Sequence, residues 1–446
     1  MVDLPLIGHC DVDAPFAYRR GSAIPAGRFV QDVFRLASEL PDAAHVVNLC
    51  TDRYRFCVAF GAALLRKQIS LLPPNHTRDL FSRLSHSYPS AYCIVDSAID
   101  HEPFRAFQYL DAADVSAHAY DIPAIPSAQI AAIVLTSGST GEPTPHPKSW
   151  GALVASVNAE LERLGLRRNV TTAVLATVPP QHMYGLESSV VLPMQAGLAL
   201  HSGRPFYPAD ICAELASLPR PRALITTPVH LRTLILEDTA LPPADLLVCA
   251  TAPLSPQLAA AAERRFAAPL YEVYGCTEAG QVAMRRTVKT STWTALPGIR
   301  LRQDERGTWI AGGHVQQPVL LGDVIELASG NRFLLHGRHA DLVNIAGKRT
   351  SLSHLNYHLN SIKGVRDGVF VVPEMDESGT VTRLMALVVA PALTREALLK
   401  ALRRRIDPAF LPRPLCFVDS LPRNATSKLP REALATLMSE LSTRAA

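Results

Sequence analysis

The sequence lacks several features that would assign it to particular classes of protein. Its formal net charge is only +4 over 446 residues, and no run of Lys and Arg is interleaved with aromatic residues, so nucleic-acid binding is not expected. No apolar run reaches the length of a membrane span, and the N-terminus has no basic segment followed by an apolar one. We therefore expect a cytoplasmic protein that binds neither nucleic acid nor membrane.

Paired cysteine motifs are also missing. The eight cysteines are scattered, none forms a Cys-x-x-Cys pair, and most stand in apolar runs, which is typical of buried free thiols in a reducing compartment. Hydrophobic residues make up 48% and charged residues 19% of the chain, which excludes a disordered protein. The length is too great for one hydrophobic core and predicts two to four domains or subdomains.

Helical and strand patterns alternate along most of the chain. Helices are predicted at 29–40, 53–66, 77–87 and 149–165, and strands at 45–49, 69–72, 92–95, 130–136, 172–177, 198–201, 222–226 and 246–250. This alternation predicts an α/β fold with doubly wound parallel sheets. Ligands of such sheets bind at the carboxyl ends of the strands.

The pattern changes twice near the C-terminus. Short β-type runs and turn signals at 293–336 predict a small β subdomain, and beyond Gly337 helices at 353–362 and 394–405 alternate with strands at 368–372 and 384–389. We predict a large N-terminal domain, residues 1–336, followed by a small α+β C-terminal domain, residues 337–446.

A loop rich in Gly, Ser and Thr follows the predicted strand 130–136. Its members are Thr136, Ser137, Gly138, Ser139, Thr140 and Gly141. Glycines let backbone N–H groups approach an anion, and hydroxyls add donors, so the loop is a candidate phosphate site. It is not a Walker loop, because only two residues separate the glycines and Glu142 follows the second. An ordinary polar surface loop is the competing interpretation.

Six short motifs follow that loop. They are 180–185 (PQHMYG), 250–254 (ATAPL), 274–278 (YGCTE), 322–323 (GD), 337–341 (GRHAD) and 421–428 (LPRNATSK). Together with the loop, their order and spacing resemble the adenylate-forming superfamily of acyl- and aryl-CoA synthetases, luciferases and peptide-synthetase adenylation domains. The resemblance implies a mobile C-terminal domain and a two-step reaction. A carboxylate attacks the α-phosphate of Mg-ATP to give an acyl-adenylate and pyrophosphate, and a thiol then captures the acyl group.

The resemblance also implies roles for the motif residues. Lys428 would bridge the carboxylate and the α-phosphate, Thr277 would contact the α-phosphate, and Glu278 would bind Mg²⁺. His182 is counted among the catalytic residues. Together with Met183, Tyr184 and Gly185 it would form the aromatic gate and the wall of the acid pocket. The nucleotide phosphates would be bound by Lys148 and by the loop residues Thr136, Ser137, Gly138, Ser139, Thr140 and Gly141. The adenine would lie beside Thr251, Ala252 and Pro253, with Tyr274 stacked on it and Gly275 next to Tyr274. Asp323 and Arg338 would bind the ribose or the phosphates.

Some positions depart from the family pattern. The family usually has Gly-x-Pro-Lys after the loop, whereas Thr144 follows Pro143 here and the nearest lysine is Lys148, with His146 as a competing phosphate ligand. Ser427 replaces the Gly before the late lysine, and Ala340 stands at the hinge. The segment 344–349 (NIAGKR) matches the loop that admits the thiol arm, with Gly347 in the pantetheine channel.

The sequence leaves more than one identity possible for the acid substrate and for the thiol acceptor. Amino-acid-activating members place Asp where Met183 stands, so an α-amino acid is not expected because its charge would be buried unpaired. The pattern is similar to aryl-acid activators, and most similar to stand-alone ligases of aryl-polyene and xanthomonadin-type pigment pathways, which load hydroxybenzoates onto acyl carrier proteins. The leading hypothesis is such a ligase. The alternatives are an aryl- or acyl-CoA synthetase that uses free CoA, and a non-catalytic nucleotide-binding homologue.

Overall fold

The computed structural model describes residues 2–98, 100–111, 121–137, 143–168, 170–237, 240–338, 342–345, 348–372, 383–423 and 429–445. Its helices are α1 (Ala26–Glu39), α2 (Arg53–Leu65), α3 (Arg78–Ser87), α4 (Trp150–Leu164), α5 (Met183–Leu186), α6 (Leu192–Ala196), α7 (Pro208–Ser217), α8 (Pro228–Leu236), α9 (Pro256–Phe266), α10 (Leu352–Asn360), α11 (Arg395–Arg403) and α12 (Arg431–Ala445). A π-helical turn spans Glu187–Val191 and a 3₁₀ turn spans Pro408–Phe410. None of these helices combines the length and apolar character needed to cross a bilayer.

The first large sheet has six strands in the order β10-β9-β5-β4-β6-β7. In chain order they are β4 (His45–Asn48), β5 (Ile69–Leu72), β6 (Tyr92–Val95), β7 (Arg105–Gln108), β9 (Ile130–Ser137) and β10 (Pro143–Ser149). All neighbours are parallel except β9 and β10, which form an antiparallel hairpin. Two short strands beside this sheet, β1 (Asp3–Pro5) and β8 (Ala124–Pro126), pair with each other.

The strand β10 is missing from the sequence analysis, which predicted no strand between the loop and the helix at 149. Three prolines made this segment unlike a strand, but β10 is an edge strand and Pro143, Pro145 and Pro147 alternate along it. Alternate residues of an antiparallel pair present their N–H groups on the same side. The three positions without a backbone N–H therefore lie on the side away from β9, where an edge strand makes no ladder hydrogen bonds.

The second sheet has eleven strands in the order β21-β22-β17-β16-β15-β14-β13-β11-β12-β2-β3. They are β2 (Pro15–Arg19), β3 (Ser22–Pro25), β11 (Ala173–Ala176), β12 (Ala199–His201), β13 (Arg222–Thr226), β14 (Leu246–Cys249), β15 (Leu270–Cys276), β16 (Gly280–Arg285), β17 (Trp293–Ala295), β21 (Asp323–Ala328) and β22 (Arg332–Arg338). The strands from β2 to β15 in this order are parallel, which confirms the predicted α/β class.

Helix α2 packs between the two large sheets, against β4 and β5 on one side and β12 on the other. This position explains why the helix is apolar almost all round. Its one fully buried charge, Arg53, donates hydrogen bonds to the carbonyls of Ala176 (3.0 Å) and Val178 (2.8 Å) and to the hydroxyl of Ser189. The guanidinium therefore fixes the chain just after β11, where the segment that contains His182 begins.

The predicted β subdomain at 293–336 is smaller than expected. Only β18 (Arg300–Asp304), β19 (Gly307–Gly312) and β20 (Val315–Leu320) form a separate sheet, whereas β17, β21 and β22 extend the eleven-stranded one. The rings of Trp293 and Phe333 stack with their centroids 6.4 Å apart, and both contact the ring of Tyr274 on β15. This aromatic packing joins the later strands to the parallel sheet.

The C-terminal part has its own core. It contains the hairpin β23 (Leu342–Ile345) and β24 (Lys348–Ser351) and a sheet of β25 (Asp367–Val371), β26 (Met385–Val389) and β27 (Leu415–Phe417), packed with α10 and α11. Buried residues of the N-terminal core end at Phe333, and those of the C-terminal core begin at Val343. The boundary predicted at 336/337 falls between them and stays a prediction.

Candidate active site

The motif residues come together at the carboxyl ends of the parallel strands. His182 follows β11, Thr251 follows β14, and Thr277 and Glu278 form the turn after β15. This edge of a parallel sheet is the usual place for a ligand in doubly wound folds.

The hairpin of β9 and β10 brings the candidate phosphate loop to the same region. The hydroxyl of Thr136 lies 3.0 Å from Nε2 of His146, across the hairpin. Ser137 pairs with Pro143 at the open end of the ladder. The other loop residues, Gly138, Ser139, Thr140 and Gly141, lie outside the described residues.

Lys148 stands further down the same strand and is buried. Its ammonium donates to the backbone carbonyl of Glu278 at 2.7 Å. Burial lowers the pKa of Lys148, and the carboxylates of Glu187 and Glu278 partly oppose that shift. The two residues left open by the sequence analysis therefore have different surroundings, since His146 contacts the loop strand and Lys148 contacts the turn of Glu278.

The residues expected at the nucleotide are connected directly. The hydroxyl of Tyr274 donates to Oδ2 of Asp323 at 2.8 Å. Arg338 pairs with Asp323 in the β21–β22 ladder, although its side chain is outside the described part of the structure. Gly275 follows Tyr274 at a bulge, and a Cβ there would stand 2.4 Å from the carbonyl oxygen of Gly280. The close approach of these two strands thus requires glycine at 275.

Thr251, at the start of the adenine segment, has a strained backbone. Its φ is +85°, a region that β-branched residues rarely occupy. Its hydroxyl is buried and has no hydrogen-bonding partner among the described residues. Ala252 and Pro253 follow in an irregular, partly exposed segment. Strain of this kind is concentrated at ligand sites, which agrees with the expected contact to adenine.

Glu278 has the chemistry of a single magnesium ligand. Burial alone would raise the pKa of Glu278, but hydrogen bonds from its own backbone and the Cys276 thiol, and the charges of His146 and Lys148, hold the pKa below its usual value. The described residues contain no group of three metal-binding side chains. Magnesium commonly takes one or two carboxylates and completes its shell with phosphate oxygens and water, so one ionised carboxylate fits the ion.

The four residues at the predicted acid pocket have different positions. His182 caps α5 and Met183 lines a cavity, but the hydroxyl of Tyr184 lies 3.0 Å from the carbonyl of Val248 and 3.3 Å from that of Thr226. Gly185 is buried against the chain before it. Of Met183, Tyr184 and Gly185, therefore, Met183 borders this cavity, whereas the Tyr184 hydroxyl is held by the carbonyls of the parallel sheet.

That cavity measures about 200 Å³ and contains polar residues that the sequence analysis missed. It is bordered by Lys148, Met183, Glu278, Glu187 and His314, together with Gln316, Gln317 and apolar residues of α4 and β20. Glu187 stands two residues after the motif 180–185 and could have been noted for that reason, whereas His314 follows two glycines in a turn and has no such signal.

Two predicted residues of the C-terminal part join the four loop residues outside the described part of the chain. Lys428 and Gly347 lie outside the described residues. The start of the lysine motif is described, and there Arg423 forms a two-pronged ion pair with Asp367 at 2.6 and 2.8 Å. Asp367 also lies 3.8 Å from Arg232 of α8, and Arg232 donates to Asn360 at 3.0 Å. The segment that leads to Lys428 is thus attached both to the C-terminal sheet and to the N-terminal domain.

Comparison with known proteins gives matches along most of the chain. The family model described as AMP-binding enzyme matches residues 71–306, just over half of the chain. A 4-coumarate–CoA ligase from Rhodobacter capsulatus is 30% identical over 278 residues, which cover 60% of this chain and 70% of that protein. A 2-succinylbenzoate–CoA ligase from Staphylococcus epidermidis is 21% identical over 401 residues, which cover 82% of each chain.

The fold itself is shared with a solved structure. A benzoate CoA ligase from Burkholderia xenovorans superposes with a TM-score of 0.80 over 95% of this chain and 96% of its own, at 18% sequence identity. Both parts of the molecule, the large sheet-rich domain and the smaller C-terminal one, are therefore present in that protein too.

Proposed function

We propose that this chain, which belongs to the AMP-binding enzyme family and is an AMP-forming acid–thiol ligase, acts on an aromatic carboxylic acid. The acid is a hydroxybenzoate. It is activated with ATP as the acyl-adenylate and passed to the phosphopantetheine thiol of an acyl carrier protein. The observation that supports the adenylation step is the hydrogen bond from Tyr274 to Asp323, because it joins an aromatic ring to a carboxylate that could accept ribose hydroxyls, on the strand that leads to Glu278.

Each residue then has a task that its chemistry allows. The Asp323 carboxylate can accept from two ribose hydroxyls, and the Tyr274 hydroxyl fixes its orientation. Thr277 donates to the α-phosphate, and Glu278 would hold Mg²⁺, which supplies positive charge at the phosphate oxygens when bound. Lys428 brings a second positive charge between the carboxylate and the α-phosphate, where negative charge accumulates as the bond forms.

The acid site suits a small uncharged ring. Met183 stands where amino-acid-activating relatives carry a carboxylate, so nothing at that position would pair with an ammonium group. The cavity of about 200 Å³ is below the usual range of roughly 300–1,000 Å³ for drug-sized ligands, which favours a single ring over a long acyl chain.

The positive charge of one surface favours a carrier protein as the thiol acceptor. Five basic residues are exposed on and just after α11: Arg395, Lys400, Arg403, Arg404 and Arg405. Arg405 borders the same surface groove as Lys348, which follows the proposed channel residue Gly347. Carrier proteins are acidic, so this surface is complementary to one. The named relatives are CoA ligases, and free CoA, whose phosphates are also negative, remains the second candidate acceptor.

The test uses the whole chain with ATP, Mg²⁺ and hydroxybenzoates, with either CoA or a holo-carrier protein. We expect carboxylate-dependent pyrophosphate release and an acyl-carrier product detectable by mass spectrometry. Lys428→Ala abolishes the pyrophosphate release, whereas Lys289→Ala, at an exposed position, leaves it unchanged. Equal or faster formation of a CoA thioester without carrier would favour the CoA ligase, and no pyrophosphate release with any acid would contradict the proposal.

A further inference from the structure

The cavity beside Met183 contains a buried histidine whose ring nitrogens have no side-chain partner. His314 is 7% exposed, and neither ring nitrogen makes a well-aligned hydrogen bond with a described residue, although the backbone of Gln281 and Ala279 lies within reach of the ring. Burial lowers the pKa of His314 to about 4, so at neutral pH the ring is uncharged and offers one donor and one acceptor. A buried polar group without a partner is costly, and such groups are usually satisfied by water or a ligand.

A carboxyl group lies in the wall of the same cavity. Glu187 is 1% exposed and its Oε1 accepts a hydrogen bond from Ser156 at 2.6 Å. Burial raises its pKa to about 7, while the hydrogen bond from Ser156 and the charge of Lys148 limit the rise. The backbone of Gly280 packs closely on Glu187, since a Cβ there would stand 2.6 Å from Oε1. The carboxyl is thus held in place at the cavity.

The charges in the cavity restrict what can enter. A carboxylate would meet Glu187 and Glu278, and the ammonium of Lys148 already supplies the cation beside those two carboxyl groups. An apolar group would leave the polar wall of the cavity unpaired. A neutral hydroxyl avoids both penalties, because it can donate to the carboxyl of Glu187 and exchange a hydrogen bond with the imidazole of His314.

We propose that Glu187 and His314 form a subsite for a hydroxyl group carried by the acid away from its carboxylate. This inference rests on the proposed function, because it assumes that the acid enters the cavity that Glu278 and Met183 also border. The two residues are then specificity-determining and take no part in the chemical step. An acid without the hydroxyl leaves both groups unpaired, which is how polar sites reject apolar analogues.

The experiment compares matched acids that differ only in the hydroxyl. Binding by calorimetry and pyrophosphate exchange are measured with benzoate against 3- and 4-hydroxybenzoate, and with hexanoate against 6-hydroxyhexanoate. The wild type is expected to prefer a hydroxylated acid by about tenfold or more, the effect of one or two hydrogen bonds. His314→Phe and Glu187→Gln should each reduce that preference several-fold, mainly by weakening the hydroxylated acid, and His314→Asn should restore part of it.

Val315→Ala is the control, because it alters the same cavity without changing a polar atom. It should affect both acids of a pair equally. The subsite is overturned if the preference for the hydroxylated acid survives in both His314→Phe and Glu187→Gln. It is also overturned if the wild type binds the unhydroxylated acid of every pair more tightly. In either case the polar groups of the cavity serve bound water only. The proposed function fails differently, with no exchange for any acid.

Discussion

A buried carboxyl group in the N-terminal core makes the stability of that core depend on pH. Glu160 of α4 is fully buried, and its two oxygens accept hydrogen bonds from Ser188 and from Gln281, each at 2.7 Å. Burial raises its pKa to about 8 in spite of those hydrogen bonds, from an ordinary value of 4.5. The folded state therefore binds a proton more tightly than the unfolded state does.

The sign and size of the effect follow from this difference. Because the folded pKa is the higher one, the contribution of Glu160 is fully present below about pH 4.5 and is lost as the pH rises towards 8. Each pH unit within that window corresponds to about 1.4 kcal/mol, so the whole window amounts to on the order of 5 kcal/mol. Glu160→Gln cannot titrate. Its free energy of unfolding relative to wild type should rise by about 1.4 kcal/mol per unit from pH 5 to 8 and then level off.

Urea unfolding followed by tryptophan fluorescence measures this difference at pH 5, 6, 7, 8 and 9. The three tryptophans, including the fully buried Trp150 on the same helix, all lie in the N-terminal domain. Glu263→Gln is the control, whose difference from wild type should not change over this range. Burial favours protonation of Glu263, but hydrogen bonds from Arg286 and the backbone of Leu270 outweigh it and lower the pKa, so its contribution is already complete at pH 5. A difference between Glu160→Gln and wild type that stays flat across this range would refute the reasoning.

Two further predictions concern the site. Lys148→Met should raise the KM for the acid about tenfold and that for ATP much less, because Lys148 borders the cavity proposed for the acid, whereas His146→Ala should do the reverse. Pyrophosphate release with each substrate varied measures both, and equal changes in the two KM values would contradict the assignment. Gly185→Ala should lower the free energy of unfolding by about 2 kcal/mol or more, because its Cβ would stand 1.9 Å from the carbonyl oxygen of Pro179. Gly322→Ala, where a Cβ meets open space, is the matched control in a thermal melt, and equal melting temperatures would be contrary to expectation.

The parallel strands were predictable because each is a short apolar run bounded by polar residues. The predicted bounds 69–72, 92–95 and 222–226 are those of β5, β6 and β13. The edge strand β10 was not predictable in this way, because its prolines carry the signal of a loop and only the hairpin partner explains why they are tolerated. Similarly, β17, β21 and β22 were assigned to a separate subdomain because strand patterns do not say which sheet a strand joins.

The candidate site was predictable where a residue belongs to a motif. Tyr274 and Asp323 are far apart in the sequence, and the family resemblance named both before the structure showed their hydrogen bond. Glu187 and His314 belong to no motif, and they border one cavity because the π-helical turn after α5 and the turn before β20 lie on its two sides. Local patterns report the element that holds a residue, but contacts between distant elements determine which side chains share a cavity.

The position of Lys148 on β10 accounts both for the lack of a lysine directly after Pro143 and for the positive charge at the polar cavity. Along β10, Thr144, His146 and Lys148 project on one face while the prolines project on the other, because side chains alternate along a strand. Four residues of strand span about 13 Å, so the ammonium of Lys148 cannot stand where a lysine at position 144 would stand. It donates to the carbonyl of Glu278 and balances the charge of Glu187 instead. Compared with the family pattern, the candidate phosphate loop therefore lacks a cation and has His146 beside Thr136, while the cavity proposed for the acid gains a cation next to the buried carboxyl of Glu187.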